Sequence, residues 1–380
     1  MSGQLSGLLA LFRARAYPLR LRDTLSAISS SWGLGDQMNK QHVTAIAIVL
    51  VTTVAPSGWA GQAPDGWTVP RTADGRPDLQ GIWANDSATP FQRPEALGNR
   101  ATVTDEEVAA MQAYAVEYDR VGGDAVFGDT PYLRALASLE EPTEAQAPAR
   151  RSTRSYNQFW MIDRWFDNRT SLIVDPQNGR LPERTPEAQS RVERLRAERG
   201  KPGADGRLTL AQEVASVDPA IRCRGAGALL SGRGYNSNYQ IFQSASHIAI
   251  QIEMHHETRI VPIGDAAPSR LGPASNTGSS AGHWEGDTLV VDTTNLKRGV
   301  SGSTTGARLT ERFSRVGPEM LQYEYTVDDP ATWAQPWTAR MFLRPAPGTG
   351  VIYEFACHEG NYAIEHALRN ERFLDDSENR

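Results

Sequence analysis

The sequence is poor in cysteine. Its 380 residues include only two cysteines, Cys223 and Cys357, which excludes a dense disulfide framework and a four-cysteine zinc cluster. A chain of this length can bury a full-sized core without such crosslinks. In an oxidising compartment we expect one long-range Cys223–Cys357 disulfide, and two free thiols are the alternative.

Common catalytic and cofactor motifs are also missing. Gly225-Ala-Gly227 lacks the strand-to-helix context of a dinucleotide-binding turn, and there is no phosphate-binding P-loop. Gly302-Ser-Thr-Thr-Gly306 lacks the central serine of a hydrolase elbow. His255, His256 and His358, together with Glu253 or Glu359, could supply zinc ligands, but the spacing of a zinc motif is absent. We therefore expect no metal, no cofactor and no serine-hydrolase chemistry.

Acidic residues outnumber basic ones, 45 to 39. The formal net charge is −6, and residues 1–60 carry more basic than acidic side chains, so the remaining chain is more acidic than the whole. An acidic domain is poorly suited to nucleic acid or anionic lipid. The predicted partner is a small-molecule substrate or ligand, with no nucleic acid, and the oligomeric state is left open.

Long apolar runs are rare too. The run Val43–Ala55 is uncharged but only 13 residues long, whereas a membrane helix needs about 20. It follows Lys40 and precedes small residues up to Ala63, the order of a secretory signal. We predict a signal peptide at 38–63, a periplasmic or secreted location and no stable membrane anchor; an anchor is the alternative. Residues 1–37 are interpreted as a non-structural upstream extension. Either the start codon was assigned too far upstream, or these residues are a transit-type segment.

Residues 64–380 are predicted to form a single β-rich domain. After Cys223, short segments of strand-like alternation follow one another, separated by tight turns. Such a run predicts an antiparallel up-and-down barrel or a strongly curved sheet. The predicted strands are 156–163, 170–175, 239–243, 246–254, 258–263, 282–285, 288–293, 307–315, 319–327, 337–344 and 350–356.

Two peripheral helices are predicted. Thr104 followed by acidic residues and apolar positions at helical spacing predicts a helix over 104–119. It opens a helical, loop-rich excursion over 104–151. A proline in the first turn and a terminal glycine predict a charged surface helix over 185–200.

The segment 247–260 alternates polar and apolar side chains, which allows two interpretations. In one, a half-buried strand turns its polar face to water. In the other, the polar face lines a barrel, where Glu253 and Arg259 meet a cavity and His256 joins through a bulge or the strand end. In that case His256 is the general acid/base, Glu253 its partner and Arg259 the holder of a substrate anion.

A second polar cluster follows Cys357. His358 and Glu359 could form a second proton-handling pair, held in place if the disulfide forms; the alternative is a capped turn with a solvated glutamate. Asn361 is a predicted substrate contact in this cluster. Tyr239 and Trp284 are predicted substrate contacts among aromatic residues that could equally belong to the core.

Four segments together resemble a large family of secreted bacterial β-rich proteins. The likeness covers most of residues 67–370 and implies a secreted, calycin-like β fold, with no general activity to carry over. The segments are Arg76-Pro-Asp-Leu-Gln-Gly-Ile-Trp83, Arg169-Thr-Ser-Leu-Ile-Val-Asp-Pro-Gln-Asn-Gly-Arg180, His283-Trp-Glu-Gly-Asp-Thr-Leu-Val-Val-Asp-Thr-Thr-Asn295 and Tyr353-Glu-Phe-Ala-Cys-His-Glu-Gly-Asn-Tyr362.

The resemblance also bears on the histidines. Glu253-Met-His-His-Glu-Thr-Arg259 is similar to a family pattern Glu-Met-x-His-Asp-x-Arg, which makes His256 the matching histidine. Glu257 replaces the aspartate of that pattern and adds one methylene.

These observations predict an exported enzyme that performs cofactor-independent acid/base chemistry on a small organic acid, aromatic acids included. A lyase, with decarboxylases among the lyases considered, is preferred because no activated nucleophile is visible. The alternative is a non-catalytic carrier of a hydrophobic small molecule.

Overall fold

The computed structural model describes most of the chain after residue 62. The described residues are 63, 65–120, 128–139, 163–198, 223, 225, 227–231, 235–264, 272–348, 351–362, 364–366, 369–370 and 372–373. All of them belong to one compact unit, Gly58–Arg380. The predicted upstream extension and nearly all of the predicted signal peptide lie outside these residues. So does the predicted strand at 156–163, apart from its last residue.

The described residues form three α-helices: α1 Asp105–Arg120, α2 Asp129–Ala137 and α3 Pro186–Glu198. A capping box starts α1, since the Thr104 amide donates to Glu107 Oε2 at 2.7 Å and the Glu107 amide donates to Thr104 Oγ1 at 3.3 Å. The predicted helices at 104–119 and 185–200 correspond to α1 and α3. The second helix, α2, lies in the excursion that was predicted to be loop-rich after residue 119.

The strands form an antiparallel sheet with the order β5-β4-β3-β1-β10-β9-β8-β7-β6. The short strand β2 pairs separately with β10. In chain order the strands are β1 Gly81–Ala84, β2 Ile173–Asp175, β3 Asn238–Gln243, β4 His247–Ile252, β5 Thr258–Pro262, β6 Ser279–Glu285, β7 Thr288–Thr294, β8 Arg308–Gly317, β9 Met320–Asp328 and β10 Trp337–Pro345.

The sheet is open but strongly curved, which confirms the predicted fold class. Its two edge strands, β5 and β6, approach each other through a single parallel bridge between Ile263 and Gly282. The Gly264 amide donates to the Gly282 carbonyl at 2.8 Å. A side chain at Gly282 would crowd this contact, since a Cβ there would lie 2.9 Å from Ile263 Cδ1. Curvature therefore encloses the inner face without completing a barrel.

The last predicted strand, 350–356, is wrong for its described part. Residues 351–356 have no strand pairing and are largely exposed. A hairpin with the preceding strand is blocked, because β10 is already paired on both sides, with β9 on one side and with β1 and β2 on the other. The predicted strand at 170–175 is shorter than expected and begins at Ile173, because the Thr170 and Leu172 amides donate to carbonyls outside the sheet, those of Ala101 and Pro90.

The inner face of the sheet carries the main core, filled by aliphatic and aromatic side chains. A chain segment, 228–231, also enters this core, and Ala228 and Leu230 are fully buried. Asn85 Nδ2 donates to the Leu230 carbonyl at 2.8 Å, and Tyr239 Oη donates to the Ser231 carbonyl at 2.6 Å. The interior is therefore closed at this point by packed main chain.

The strand directions define two ends of the sheet. Because β4 ends and β5 begins at residues 253–257, and neighbouring strands alternate in direction, one set of connections gathers around these residues. We call it the histidine end; it comprises residues 223–231, 235–237, 253–257, 272–278, 295–307 and 329–336. The opposite end, which carries the turn Glu285–Asp287, is the far end. No helix of the described residues is long and apolar enough to cross a membrane.

Candidate functional site

The candidate site is built around the tight turn between β4 and β5. A short 3₁₀ turn, Met254–His256, reverses the chain, and His255 and His256 adopt positive φ angles of 62° and 54°. The reversal changes which positions are buried: Ile250 and Ile252 face inward before it, and Arg259 faces inward after it. The expectation of one polar face from 247 to 260 is therefore wrong beyond the turn.

Glu253 has the chemistry of a proton-transfer group. Its side chain is half-buried, and Oε2 accepts a hydrogen bond from the Asn238 amide at 3.1 Å. Removal from water raises the pKa of Glu253, and the hydrogen bond from Asn238 offsets only part of this effect. A carboxyl group in this state binds a proton more readily than an exposed one.

His256 is exposed at the edge of the same turn. Its Nε2 lies 3.1 Å from Gln251 Nε2, and its amide donates to the Glu253 carbonyl at 3.1 Å. The described bond between Glu253 and His256 is thus a main-chain one. The two side chains are neighbours in the turn, each with its own polar contact.

Glu257 completes the turn and had no predicted role. Its carboxylate accepts from Asn276 Nδ2 at 3.3 Å and lies 3.5 Å from the Gly227 amide. A Cβ at Gly225 would lie 1.8 Å from the Glu257 carboxyl carbon, so a side chain at position 225 would displace this carboxylate. Glu257 therefore fixes the turn against the segment that enters the core.

The C-terminal segment reaches the same end of the sheet. Cys223 and Cys357 lie at disulfide distance, with an S–S separation of 2.17 Å. The His255 and Phe355 rings meet edge to face, with centroids 4.9 Å apart. Asn361 Nδ2 lies 3.3 Å from Cys223 Sγ. These contacts connect the polar cluster around Glu253 with the one that follows Cys357, although the two clusters lie about 100 positions apart in sequence.

His358 and Glu359 are exposed on this segment. Their described surroundings include the Asn361 amide, which donates to the His358 carbonyl at 3.3 Å. Both residues thus lie outside the sheet at the histidine end. Their role in proton transfer stays a prediction.

Arg259 lies inside the sheet instead of at a solvent-facing cavity. It is 2% exposed, and Nη1 and Nη2 donate to the two oxygens of Glu311 at 2.5 and 3.0 Å. Tyr323 Oη donates to Glu311 Oε1 at 2.8 Å. Because β5 and β8 are not neighbours in the strand order, this pair spans the interior of the curved sheet.

The electrostatics of this buried network are those of a matched pair. Burial alone would lower the pKa of Arg259, but the charge of Glu311 and its hydrogen bonds raise it instead. Burial raises the pKa of Tyr323 well above its ordinary value, and the adjacent Glu311 charge adds to this. The predicted role of Arg259 as an anion holder thus conflicts with its pairing. Of the three guanidinium nitrogens of Arg259, Nε alone has no hydrogen-bond partner among the described residues.

Two other predicted substrate contacts, Tyr239 and Trp284, lie at opposite ends of the sheet. Tyr239 is 2% exposed, and its hydroxyl is used on the Ser231 carbonyl, so it belongs to the core at the histidine end. Trp284 is partly buried beside the turn Glu285–Asp287 at the far end. The structure therefore brings Tyr239 near the candidate site and places Trp284 at the opposite end.

Strained backbone marks the histidine end. All six non-glycine residues with positive φ in the described part of the chain lie in its segments. Such conformations cost on the order of 1–3 kcal/mol each and concentrate at functional sites. They are Cys223, Asn236, His255, His256, Asn295 and Ser301.

Among the described residues no cluster of three or more histidine, cysteine, aspartate or glutamate side chains could hold a metal ion. No family model matches this chain, and neither a curated protein nor a solved structure matches it. The family resemblance of the four sequence segments stays a prediction.

Proposed function

We propose that this protein is an exported enzyme that transfers protons on a small organic molecule, with its active site at the histidine end. The observation that carries the proposal is that a candidate proton-transfer group and the strained backbone lie at the same end of the sheet. Half-buried Glu253, with its raised pKa, shares this end with all of the described strained non-glycine residues. Strain maintained next to a group tuned for proton exchange is typical of catalytic sites.

Glu253 acts as the general base in this proposal. A carboxylate whose pKa is raised is a stronger base than an exposed one, and remains ionised near neutral pH when the rise is moderate. It takes a proton from a substrate carbon, and the electron pair of that C–H bond forms a carbon–carbon double bond. The bond to the leaving group on the neighbouring carbon breaks, and His256 gives that group a proton. Proton removal coupled to loss of a leaving group is a lyase reaction.

The substrate part of the prediction changes. Arg259 was expected to hold a carboxylate, but its guanidinium is paired with Glu311. The proposal therefore retains proton transfer on a small organic substrate. It no longer requires that the substrate carry an acid group, because no residue of this turn is left to bind one. Periplasmic or secreted location is part of the proposal and is supported by the disulfide-distance cysteines.

A carrier function is the second candidate, supported by a different observation. His256, His358 and Glu359 are exposed outside the sheet, while buried donors inside it have no acceptor among the described residues. These donors are Arg259 Nε, Trp333 Nε1 and Trp337 Nε1. A ligand with acceptor oxygens and an apolar body would satisfy them.

The test is a turnover screen of small organic molecules that carry a leaving group next to an acidic C–H, with and without a carboxyl group, and elimination products are identified by mass spectrometry. For any substrate found, Glu253→Gln should lower turnover by about 10²–10⁴. The matched control is Glu319→Gln, which changes an exposed glutamate at the far end and should leave turnover unchanged. Full turnover in a His256→Gln and His358→Gln double variant would remove the histidines from the mechanism.

A further inference from the structure

A buried arginine without a carboxylate partner lies beside the loop that follows β2. Arg93 is 6% exposed. Its Nε donates to Thr170 Oγ1 at 3.0 Å, and its Nη2 donates to the Gln177 carbonyl at 3.5 Å. Both acceptors are neutral, and within the described ranges no carboxylate pairs with this guanidinium. Buried cations normally have an anionic partner, because desolvation otherwise disfavours the charge.

A second arginine lies next to it. The Arg93 amide donates to the Gly179 carbonyl at 2.8 Å. A Cβ at Gly179, whose φ is +71°, would lie 2.9 Å from Arg93 Nη2. The guanidinium therefore packs directly on the residue before Arg180. Burial lowers the pKa of Arg93, and the positive charge of Arg180 lowers it further. Arg180 follows the glycine on which the Arg93 guanidinium packs, and neither arginine forms an ion pair with a carboxylate of the described residues.

The surrounding loop is fixed before any ligand binds. Ser171 Oγ donates to the Gly179 carbonyl at 2.8 Å. The Leu181 amide donates to Gln92 Oε1 at 2.9 Å. The segments on both sides of the two arginines are therefore tied together, which reduces the ordering cost of binding.

We propose that Arg93 and Arg180 form a binding site for a small oxyanion, a carboxylate, phosphate or sulfate group. An oxyanion between two guanidinium groups replaces their repulsion with charge-assisted hydrogen bonds, and their planar donors match its geometry. The site accounts for the Arg169–Arg180 segment, a motif that the proton-transfer site leaves unused. It does not depend on the proposed function.

The test is titration of the full-length protein with sodium sulfate, sodium phosphate or sodium acetate at constant ionic strength, balanced with chloride. The dissociation constant is measured by calorimetry and the unfolding temperature by fluorescence. At least one anion should bind and stabilise the protein more than chloride does, and the order of the three identifies the chemistry recognised. Arg180→Gln should weaken that binding about tenfold or more, since a charged hydrogen bond is lost.

The matched control is Arg196→Gln, which removes an exposed arginine from α3 and should leave anion binding unchanged. Arg93→Gln could fail to fold, so Arg93→Lys serves as the second variant; it keeps the charge, loses the planar donor set and should also weaken binding. The proposal is overturned if none of the three anions stabilises the protein beyond chloride. It is also overturned if Arg180→Gln and Arg93→Lys bind the anion as tightly as the wild type.

Discussion

The ion pair inside the sheet gives the sharpest stability prediction. Glu311→Gln keeps the size of the side chain but leaves the guanidinium of Arg259 buried without its counter-charge. Removing one partner of a buried pair costs about 3–5 kcal/mol. Tyr323 would also lose a charged acceptor. Since a folded domain is stable by only about 5–15 kcal/mol, the loss would be a large fraction of the total.

The assay is urea unfolding followed by tryptophan fluorescence and circular dichroism. A matched control is Glu324→Gln, because Glu324 pairs across the sheet with Arg340 and the two side chains are 18% and 39% exposed, so this pair keeps contact with water. A pair at the surface contributes about 0–1 kcal/mol, and a partly exposed pair should cost less to break than a fully buried one. If Glu311→Gln cost no more than Glu324→Gln, the reasoning about a buried, interior-spanning pair would be refuted.

Replacing both partners tests whether the loss of stability comes from an unpaired buried charge. An Arg259→Met and Glu311→Leu double variant removes both charges together, so no buried charge stays unpaired. Such replacements are often neutral or stabilising by about 1–4 kcal/mol. The double variant should therefore be more stable than Glu311→Gln, and the free energy of unfolding from the same urea assay checks this order.

Three further predictions concern the disulfide, a helix cap and a buried tyrosine. A double Cys223→Ser and Cys357→Ser variant should lose roughly 2–5 kcal/mol of stability, and alkylation of both thiols in the unreduced native protein would contradict the bridge. Thr104→Ala should cost about 1 kcal/mol in urea unfolding because the capping box of α1 is lost; an unchanged midpoint would argue against the cap. Burial raises the pKa of Tyr325 above its ordinary value of 10.0, so its stabilising contribution is present below about pH 10 and is lost as pH rises further. Tyr325→Phe should therefore show a shallower alkaline loss of stability in urea unfolding between about pH 8 and pH 11, and an identical slope would exclude the effect.

The sequence predicted the run of strands well where each strand has one buried face. In β9, inward positions such as Leu321 and Val327 alternate with outward polar residues, so a period of two is visible. The strand predicted at 350–356 has a similar composition, and its failure depends on β10 having no free edge. Pairing of this kind depends on distant residues and is invisible in a local pattern.

The same limit explains the errors at the site. The period of two placed Arg259 with Glu253 because the alternation was continued through the break between the predicted strands 246–254 and 258–263, where the turn Met254–His256 reverses the chain. Glu311 was missed although a signal existed. In β8 it shares a face with Leu309 and Phe313, and a carboxylate on an apolar face requires a buried partner. That partner is the arginine assigned to substrate.

The central claim is that Glu253 transfers protons at the histidine end, and the pH dependence of kcat/KM for a substrate tests it most directly. With Glu253 as the proposed base, kcat/KM should fall as pH is lowered through the pKa of Glu253, which burial raises above its ordinary value of 4.5. In Glu253→Gln this acidic limb should disappear along with most of the rate. A variant with the wild-type rate and the same acidic limb would contradict the claim.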